Sequence, residues 1–465
     1  MAKKNKDQKE NSDLELQTII GNQITNGLGY LGGQLSDQRR KSLEYYLGDK
    51  LGTEIDGRSQ VVSTDVSDTI ESLLPNLLRV FTASDNVVRC EPMTAEDVPM
   101  ADQATAYLNH VFYKENNGFQ LLYNFFKDAL IEKNGFLKIY WDDSEKVDYE
   151  TYENLSPVEK EALQDTKDEI EIVDEEVFED EDAKEQFEAT LAQYEAQGMD
   201  VSQIQVPNFN LYNCKIKRIK KTGKVKIESV PPEEFLIERN AKTIDDADFV
   251  AHKVLMTRSD LVSMGYSQDE VDELPKSDLD IYNNEEIVRM RDIDSYNIST
   301  PTDSSTEKVL IYECYIKYDY DGDGIAELRK VVAAGSDGSH ILSNMPCDNI
   351  PFVTVTPIPM PHRFYGRSIS ELVEDVQLMK STVMRQLLDN MYLTNNNRVA
   401  IMDGMVNMDD LLTTRPGGIV RTKQPPNQVL QPLQAQPISQ QAFPLLSYLD
   451  SVREGRTGVS KEAQG

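Results

Sequence analysis

Residues 142–200 contain 23 Asp and Glu against 4 Lys, a net charge of −19 in a chain that carries −32 in all. No fold can draw such a stretch into an apolar interior, because each carboxylate would lose its hydration without compensation. The segment reads as an exposed, mobile insertion hanging from a strand pair, with helix-like pieces in "SPVEKEALQD" and "AKEQFEATLAQYEAQG". The cores must then be built from the residues on either side. A chain of 465 residues is long enough for two or three packed regions. Directly after the insertion comes "CKIKRIKKTGKVKIESV", with seven basic residues between Lys215 and Lys226. It reads as a hairpin bending at Thr222–Gly223. Partial neutralisation by the acidic neighbour is the preferred account of its cations, a nucleic-acid patch the alternative.

Hydrophobic residues make up 39% of the chain. That is below a typical compact domain, so part of the surface is expected to be solvated or covered by partners. No run approaches 18 apolar residues, so no membrane span is expected. "MAKKNKDQKENSDLEL" is too charged for a secretory leader, and residues 1–36 are expected to form a flexible tail. Cys90, Cys214, Cys314 and Cys347 lie far apart and form neither a zinc pattern nor a disulfide framework. The net charge argues against a tight grip on DNA, since phosphate contacts need Lys and Arg. It fits solubility, and equally a wall along which a duplex slides.

Helical spacing runs through 36–134. In "STDVSDTIESLLPNLLRVF" the apolar positions Val66, Ile70, Leu73, Leu77 and Phe81 recur every three or four residues, with Ser63 or Asp65 as cap. A break is expected near Asn116–Gly118, a helix stop at Gly135, and a strand in "FLKIYW". "PPEEFLIERNAKTIDDADFVAHKVLM" reads as strand, turn, strand, and "TRSDLVSMG" as a helix capped by Thr257. Residues 285–305 read as a polar loop. The longest helix signal is "GRSISELVEDVQLMKSTVMRQLLDNMYLTNNN". Ser368 and Glu371 form a capping box, and Ile369, Leu372, Val376, Met379, Val383, Leu387 and Met391 make one apolar stripe. About 24 residues of helix would be roughly 36 Å long. "RPGGIVRTKQPPNQVLQPLQAQPISQQ" reads as loop, and "AFPLLSYLDSVREGRTGVS" as a last helix.

Catalytic signatures are missing from the sequence. There is no GxxxxGK[ST] loop to cradle phosphates and no GxSxG turn, and the four histidines have no metal spacing. "DYDGDGIAE" begins like a calcium loop, with Asp319, Asp321, Asp323 and Gly324 at positions 1, 3, 5 and 6. Position 12 is Lys330 instead of Glu, and the flanks "IYECYIKY" and "IAELRKVV" alternate like strands. A tight hairpin turn is the preferred reading; a loose metal site from Asp319, Asp321, Asp323 and Glu327 is the alternative.

The long helix segment resembles that of portal proteins, the head-to-tail connectors of short-tailed double-stranded DNA bacteriophages. In that family a G-R-S-x-x-E start leads to D-x-Q, to R-x-x-L-D-N and to an Asn-rich end. Here these are Gly366, Arg367, Ser368, Glu371, Asp375, Gln377, Arg385, Leu388, Asp389, Asn390 and Asn395–Asn397. "GRSQVVSTDVSDTIESLLPNLLRVF", "EKNGFLKIYW", "VPPEEFLIERNAKTIDDADFVAHK", "YDYDGDGIAELRKVVAAG" and "REGRTGVS" follow in family order, so the resemblance runs from Asp37 to Ser460.

The resemblance implies an α+β, mainly helical ring protomer with wing, stem and clip and a reduced or absent crown, since relatives continue past the point matching Gly465. It implies no enzyme and no cofactor. A ring of about twelve copies would sit at one capsid vertex of the virion, after assembly in the host cytoplasm. The terminase large subunit would pump double-stranded DNA through it, and the DNA would not be tightly bound. Capsid and scaffold proteins and tail adaptor proteins would dock on it, and no membrane would be involved. The wing maps to 37–265, stem helices to 266–285 and 368–392 within the link 351–395, and the clip to 286–350. The wing return is 396–465, with a channel loop near 420–440 bearing Arg421 and Lys423. The rival readings are another phage structural or adaptor protein, and a calcium-binding interaction module.

Overall fold

The computed structural model describes residues 2–84, 86–143, 145–164, 169–196, 208–221, 223–276, 284–289, 303–413, 415–433 and 435–460. Contacts divide the chain into two units: Met1–Lys138 with Ile227–Gly465, and Ile139–Lys226. Both helices and antiparallel sheets build them, a mixed α+β fold.

The first unit has a helical core and a sheet core. In the helical core, Ser36–Leu47, Asp65–Thr82, Gly118–Glu132 and the long helix Ser370–Asn395 pack around Leu43, Ile70, Leu74, Phe125, Leu130 and Val373. The stripe expected in Asp65–Thr82 is turned by about one position. Val66, Ile70, Leu74 and Leu78 are buried, while Leu73, Leu77 and Phe81 pack at the margin. The break at 116–118 is present: Asn117 is left-handed at φ 51° and Gly118 starts the next helix. Gly135 is not the stop. Lys133, at φ 84°, ends the helix and Gly135 opens the strand Gly135–Asp142. A side chain at Gly135 would run into the backbone carbonyl of Phe125, so the strand lies on that helix only because the residue is glycine.

The sheet core is five antiparallel strands in the order His340–Pro346, Glu327–Ala334, Lys308–Tyr318, Phe249–Thr257, Phe235–Ile237. One face carries Leu236, Phe249, Tyr312, Cys314 and Val331, and Leu16, Ile20 and Ile24 pack on it with no exposed surface. These three lie at helical spacing in Ala2–Tyr30. The flexible tail expected over residues 1–36 is thus corrected from Leu16 onward. Polar residues between the apolar ones mask a one-sided stripe that a sheet face covers.

The expected helix Arg258–Ser263 and its Thr257 cap are present, and Ser267 caps the next helix, Gln268–Asp272. One continuous stem helix over 266–285 is not: the helix ends at Asp272 and residues 273–276 are non-helical. Part of that expectation, 277–283, lies outside the described residues. Asn284–Arg289 is a separate helix, not loop, and 290–302 also lie outside the described residues.

The second unit corrects the mobile acidic arm. Glu145–Leu155, Asn210–Lys221 and Glu169–Glu179 form a three-stranded antiparallel sheet in that order, with the helices Pro157–Gln164 and Glu181–Ala196. The basic strand lies between the two acidic ones, with Lys217 3.0 Å from Glu171 and Arg218 3.0 Å from Glu150. Opposite charges face each other across these strands, while most of the carboxylates remain exposed as expected. The basic hairpin is corrected too: Lys224–Val230 belongs to a different sheet, beside Gly135–Asp142.

Candidate functional site

The long helix Ser370–Asn395 begins as its sequence requires. The Ser368 hydroxyl accepts from the Glu371 amide at 3.2 Å, and the Glu371 carboxylate accepts from the Ser368 amide at 3.4 Å. Its buried face differs from the expected one. Of the predicted stripe, Val376 and Leu387 are buried, Ile369, Leu372 and Val383 are half-buried, and Met379 is exposed. The ridge turned inward is Ser370, Val373, Gln377, Ser381 and Arg385.

Each polar group on that ridge has a purpose. The Gln377 amide donates to the Tyr45 carbonyl and its oxygen accepts from the Val66 amide, both near 2.9 Å. The Ser381 hydroxyl accepts from the Ser63 amide at 2.9 Å. Arg385 donates to the Val61 carbonyl at 2.8 Å and pairs with Glu54. Ser381 and Arg385 thereby hold the non-helical backbone at Ser63 and Val61 against the long helix.

One step round the helix, Lys380 reaches both Asp65 and Asp450 at 2.7 Å, and Arg453 reaches Asp65 at 3.3 Å. Asp65 is 1% exposed. It ties Asp65–Thr82, the long helix and the last helix Ser439–Thr457 into one joint. The far end of the long helix is different. Leu388, Met391, Tyr392 and Leu393 stand in solvent, as do Phe443, Leu445 and Tyr448 of the last helix.

After the long helix comes a small lobe. Arg398–Ile401 pairs antiparallel with Leu430–Leu433, and Val406 bridges Thr422. The expected loop 420–440 is therefore partly ordered, by the short helix Pro426–Val429 and that strand. The predicted cations behave differently. Arg421 is held by Asp410 through Nε at 2.6 Å and a second guanidinium nitrogen at 3.0 Å, and this bond holds the Asp410 carboxyl below its usual range. Lys423 is exposed, and its backbone amide donates to the Met405 carbonyl at 2.9 Å. The turn at 415–418 leads to Ile419, which is 82% exposed.

The stretch Asp319–Glu327 joins Lys308–Tyr318 to Glu327–Ala334 as a hairpin, Tyr318 facing Glu327. Gly322 and Gly324 have φ of 79° and 89°, the left-handed values such a turn needs. Asp319, Asp321 and Asp323 bring carboxylate oxygens within 4.8 Å of one another. Those oxygens accept from the turn's own amides: Asp319 from Gly322, Asp323 and Gly324, Asp321 from Asp323, and Asp323 from Ile325. Glu327 is not brought in. Arg329 donates to it at 2.9 Å.

A further ionic cluster was not legible in the sequence. Arg289 lies 2.7 Å from Glu132, 3.0 Å from Glu233 and 3.6 Å from Asp128, beside a cavity of about 420 Å³ lined also by Tyr46, Tyr123 and Lys127. Burial, with Glu233 and Asp128 close by, pushes the Glu132 carboxyl up to about 8. Helical spacing sets Asp128 and Glu132 one turn apart in Gly118–Glu132, but nothing in the sequence joins them to 233 and 289.

Helices tied by buried polar joints and a strongly acidic composition suit a structural scaffold. The family model described as Phage SU10 portal protein matches residues 16–465. The chain belongs to that family of phage portal proteins. Portal proteins are structural, with a DNA-channel role in the virus particle. Among the described residues, no helix is long and apolar enough to cross a membrane.

Proposed function

We propose that this chain is the protomer of a twelve-membered ring at one capsid vertex of the virion. Double-stranded DNA enters through the ring, driven by a separate terminase large subunit, and later leaves through it. Capsid and scaffold proteins would hold the ring, and tail adaptor proteins would dock on its outer end. The observation that carries this reading is the family match over 16–465.

Two features support it. A protomer made to assemble leaves apolar side chains for its neighbours, and Met391, Tyr392, Phe443 and Tyr448 are between 49% and 70% exposed. A conduit must not hold its cargo, and a net charge of −32 with scattered cations disfavours tight phosphate contact. In this reading the wing takes most of 37–265, the helix near 368–392 is a stem element, and Arg398–Leu433 carries the channel loop with Arg421 and Lys423. Asp319–Glu327 is a hairpin tip of the clip, near 286–350.

Electron microscopy of the purified chain with light scattering tests the proposal. Rings with a central hole and the mass of twelve protomers support it. A chain that stays monomeric at every concentration, and in the presence of capsid and scaffold proteins, overturns it. DNA affinity is expected to be poor even at low ionic strength, and a nanomolar complex there counts against it. If the Asp319–Asp323 turn is a turn only, calcium and chelator leave the melting temperature unchanged.

A further inference from the structure

We propose that the edge strand Glu169–Glu179 is a docking site for a lysine- and arginine-rich extended segment of another protein, which adds to the sheet as a fourth strand. The inference does not depend on the ring.

The sheet of the second unit already contains one copy of the interaction. Its central strand, Asn210–Lys221, carries Lys215, Lys217, Arg218, Lys220 and Lys221 and no acid. The flanking strand Glu169–Glu179 carries Glu169, Glu171, Asp174, Glu175, Glu176 and Glu179 and no base. The two run antiparallel from Glu169 opposite Ile219 to Glu179 opposite Asn210. Glu145–Leu155, on the other side of the basic strand, is acidic as well. The five cations are thus shared between two acidic strands. Lys217 and Arg218 take Glu171 and Glu150, and Lys160 from a helix takes Glu175.

Beyond Glu169–Glu179 no further strand follows among the described residues. Natural sheets blunt such edges with charged side chains, lysine above all, with proline, with bulges or by brevity, and here carboxylates and a bulge do so against any strand that is not basic. This edge is eleven residues long and has neither lysine nor proline. It has one bulge, where Val173 is the residue left without a partner between Ile172 and Asp174. Val173 and Val177 are each 53% exposed and Phe178 39%. Such an edge offers a row of backbone groups, apolar footholds and excess carboxylate.

Charge decides the occupant. The same edge of a second copy would set carboxylate against carboxylate, which is destabilising across a strand pair. A basic extended segment would instead repeat the pairing that Asn210–Lys221 makes on the opposite side. Backbone hydrogen bonds would supply affinity and alternate side chains selectivity, as in strand addition generally.

The test uses the full chain and a labelled peptide of alternating lysine and valine, as long as the strand, read by fluorescence anisotropy. At about 50 mM salt, saturable binding is expected, weakening about tenfold or more by about 300 mM as screening grows. A peptide of the same sequence, N-methylated at alternate residues, keeps its charge but loses the ladder and should bind at least about tenfold more weakly. The double variant Val173→Lys, Val177→Lys should lose binding similarly, with circular dichroism and melting unchanged because both side chains are exposed. No binding at low salt overturns the proposal. Equal binding of the N-methylated peptide, or of the plain peptide to the double variant, overturns it as well, since charge attraction without strand pairing would then account for the complex.

Discussion

Asp65 shows how much one residue can carry. It is buried between the ammonium of Lys380 and the guanidinium of Arg453, and the Ser63 hydroxyl donates to it at 2.6 Å. Asp65→Ala would remove the carboxylate that Lys380 and Arg453 share, and a broken buried pair costs about 3–5 kcal/mol. Urea unfolding should read a loss of that size. Glu132 makes the opposite case. Its folded pKa, about 8, lies above the unfolded value near 4.3, so the folded state holds a proton that the unfolded state releases. Stability from this group is full below about pH 4.3 and is lost as pH rises through 8. Glu132→Gln should flatten the fall in melting temperature across that window. Sequence reading named Asp65 as a cap and Gln377 and Arg385 as motif positions. It could not see that the residues are buried, because a polar stripe at spacing four looks the same whether it meets water or another chain segment's unsatisfied amides.

At the scale of elements, periodicity was most readable where one face alone is covered. The hairpin around Asp319–Glu327, the strand from Gly135 and the capping boxes at Thr257 and Ser368 follow from local chemistry and are found where local chemistry puts them. The first helix was misread because the sheet face that orders it lies more than 200 residues away; for the acidic sheet the basic neighbour was seen as a neutralising partner but not as the central strand. Ile20→Ala should therefore cost about 2–4 kcal/mol, while Leu14→Ala, at a position 62% exposed, should change little; the two midpoints compared in urea decide it. Strand contacts have their own pH signature. Burial opposes ionisation of Glu313, but Lys138 and Lys330 outweigh it and hold the carboxyl down at about 2. This contribution, on the order of 3 kcal/mol, is present above the unfolded pKa near 4.3 and is lost as pH falls toward 2. Glu313→Gln should remove that part of the acid limb in a pH-dependent melt.

For the whole molecule, stability and assembly should separate. The joint around Asp65 lies inside the protomer, whereas Met391 and Tyr392 contribute little to it and stand in solvent. Met391→Asp with Tyr392→Asp should leave the protomer's melting temperature within a few degrees and reduce rings to smaller species in light scattering. The family was legible in the sequence because motif order survives where side-chain burial cannot be read. The charge step at residue 142 lies near the start of the second unit, but the expected insertion ended at 200 whereas the unit runs to Lys226, and the acidic unit proved to be folded.

The docked first helix has a consequence for how the chain is made. Ala2–Tyr30 leaves the ribosome well before its partner, since the sheet that receives Leu16, Ile20 and Ile24 is finished only when His340–Pro346 has been synthesised. At ordinary elongation rates the interval is roughly 15–60 s. Throughout it the nascent chain presents a greasy helix with nowhere to go. Holding that helix out of trouble is a task for the cell's chaperones, and expression yield should depend on residues 16–24 more steeply than the stability of the finished protomer does.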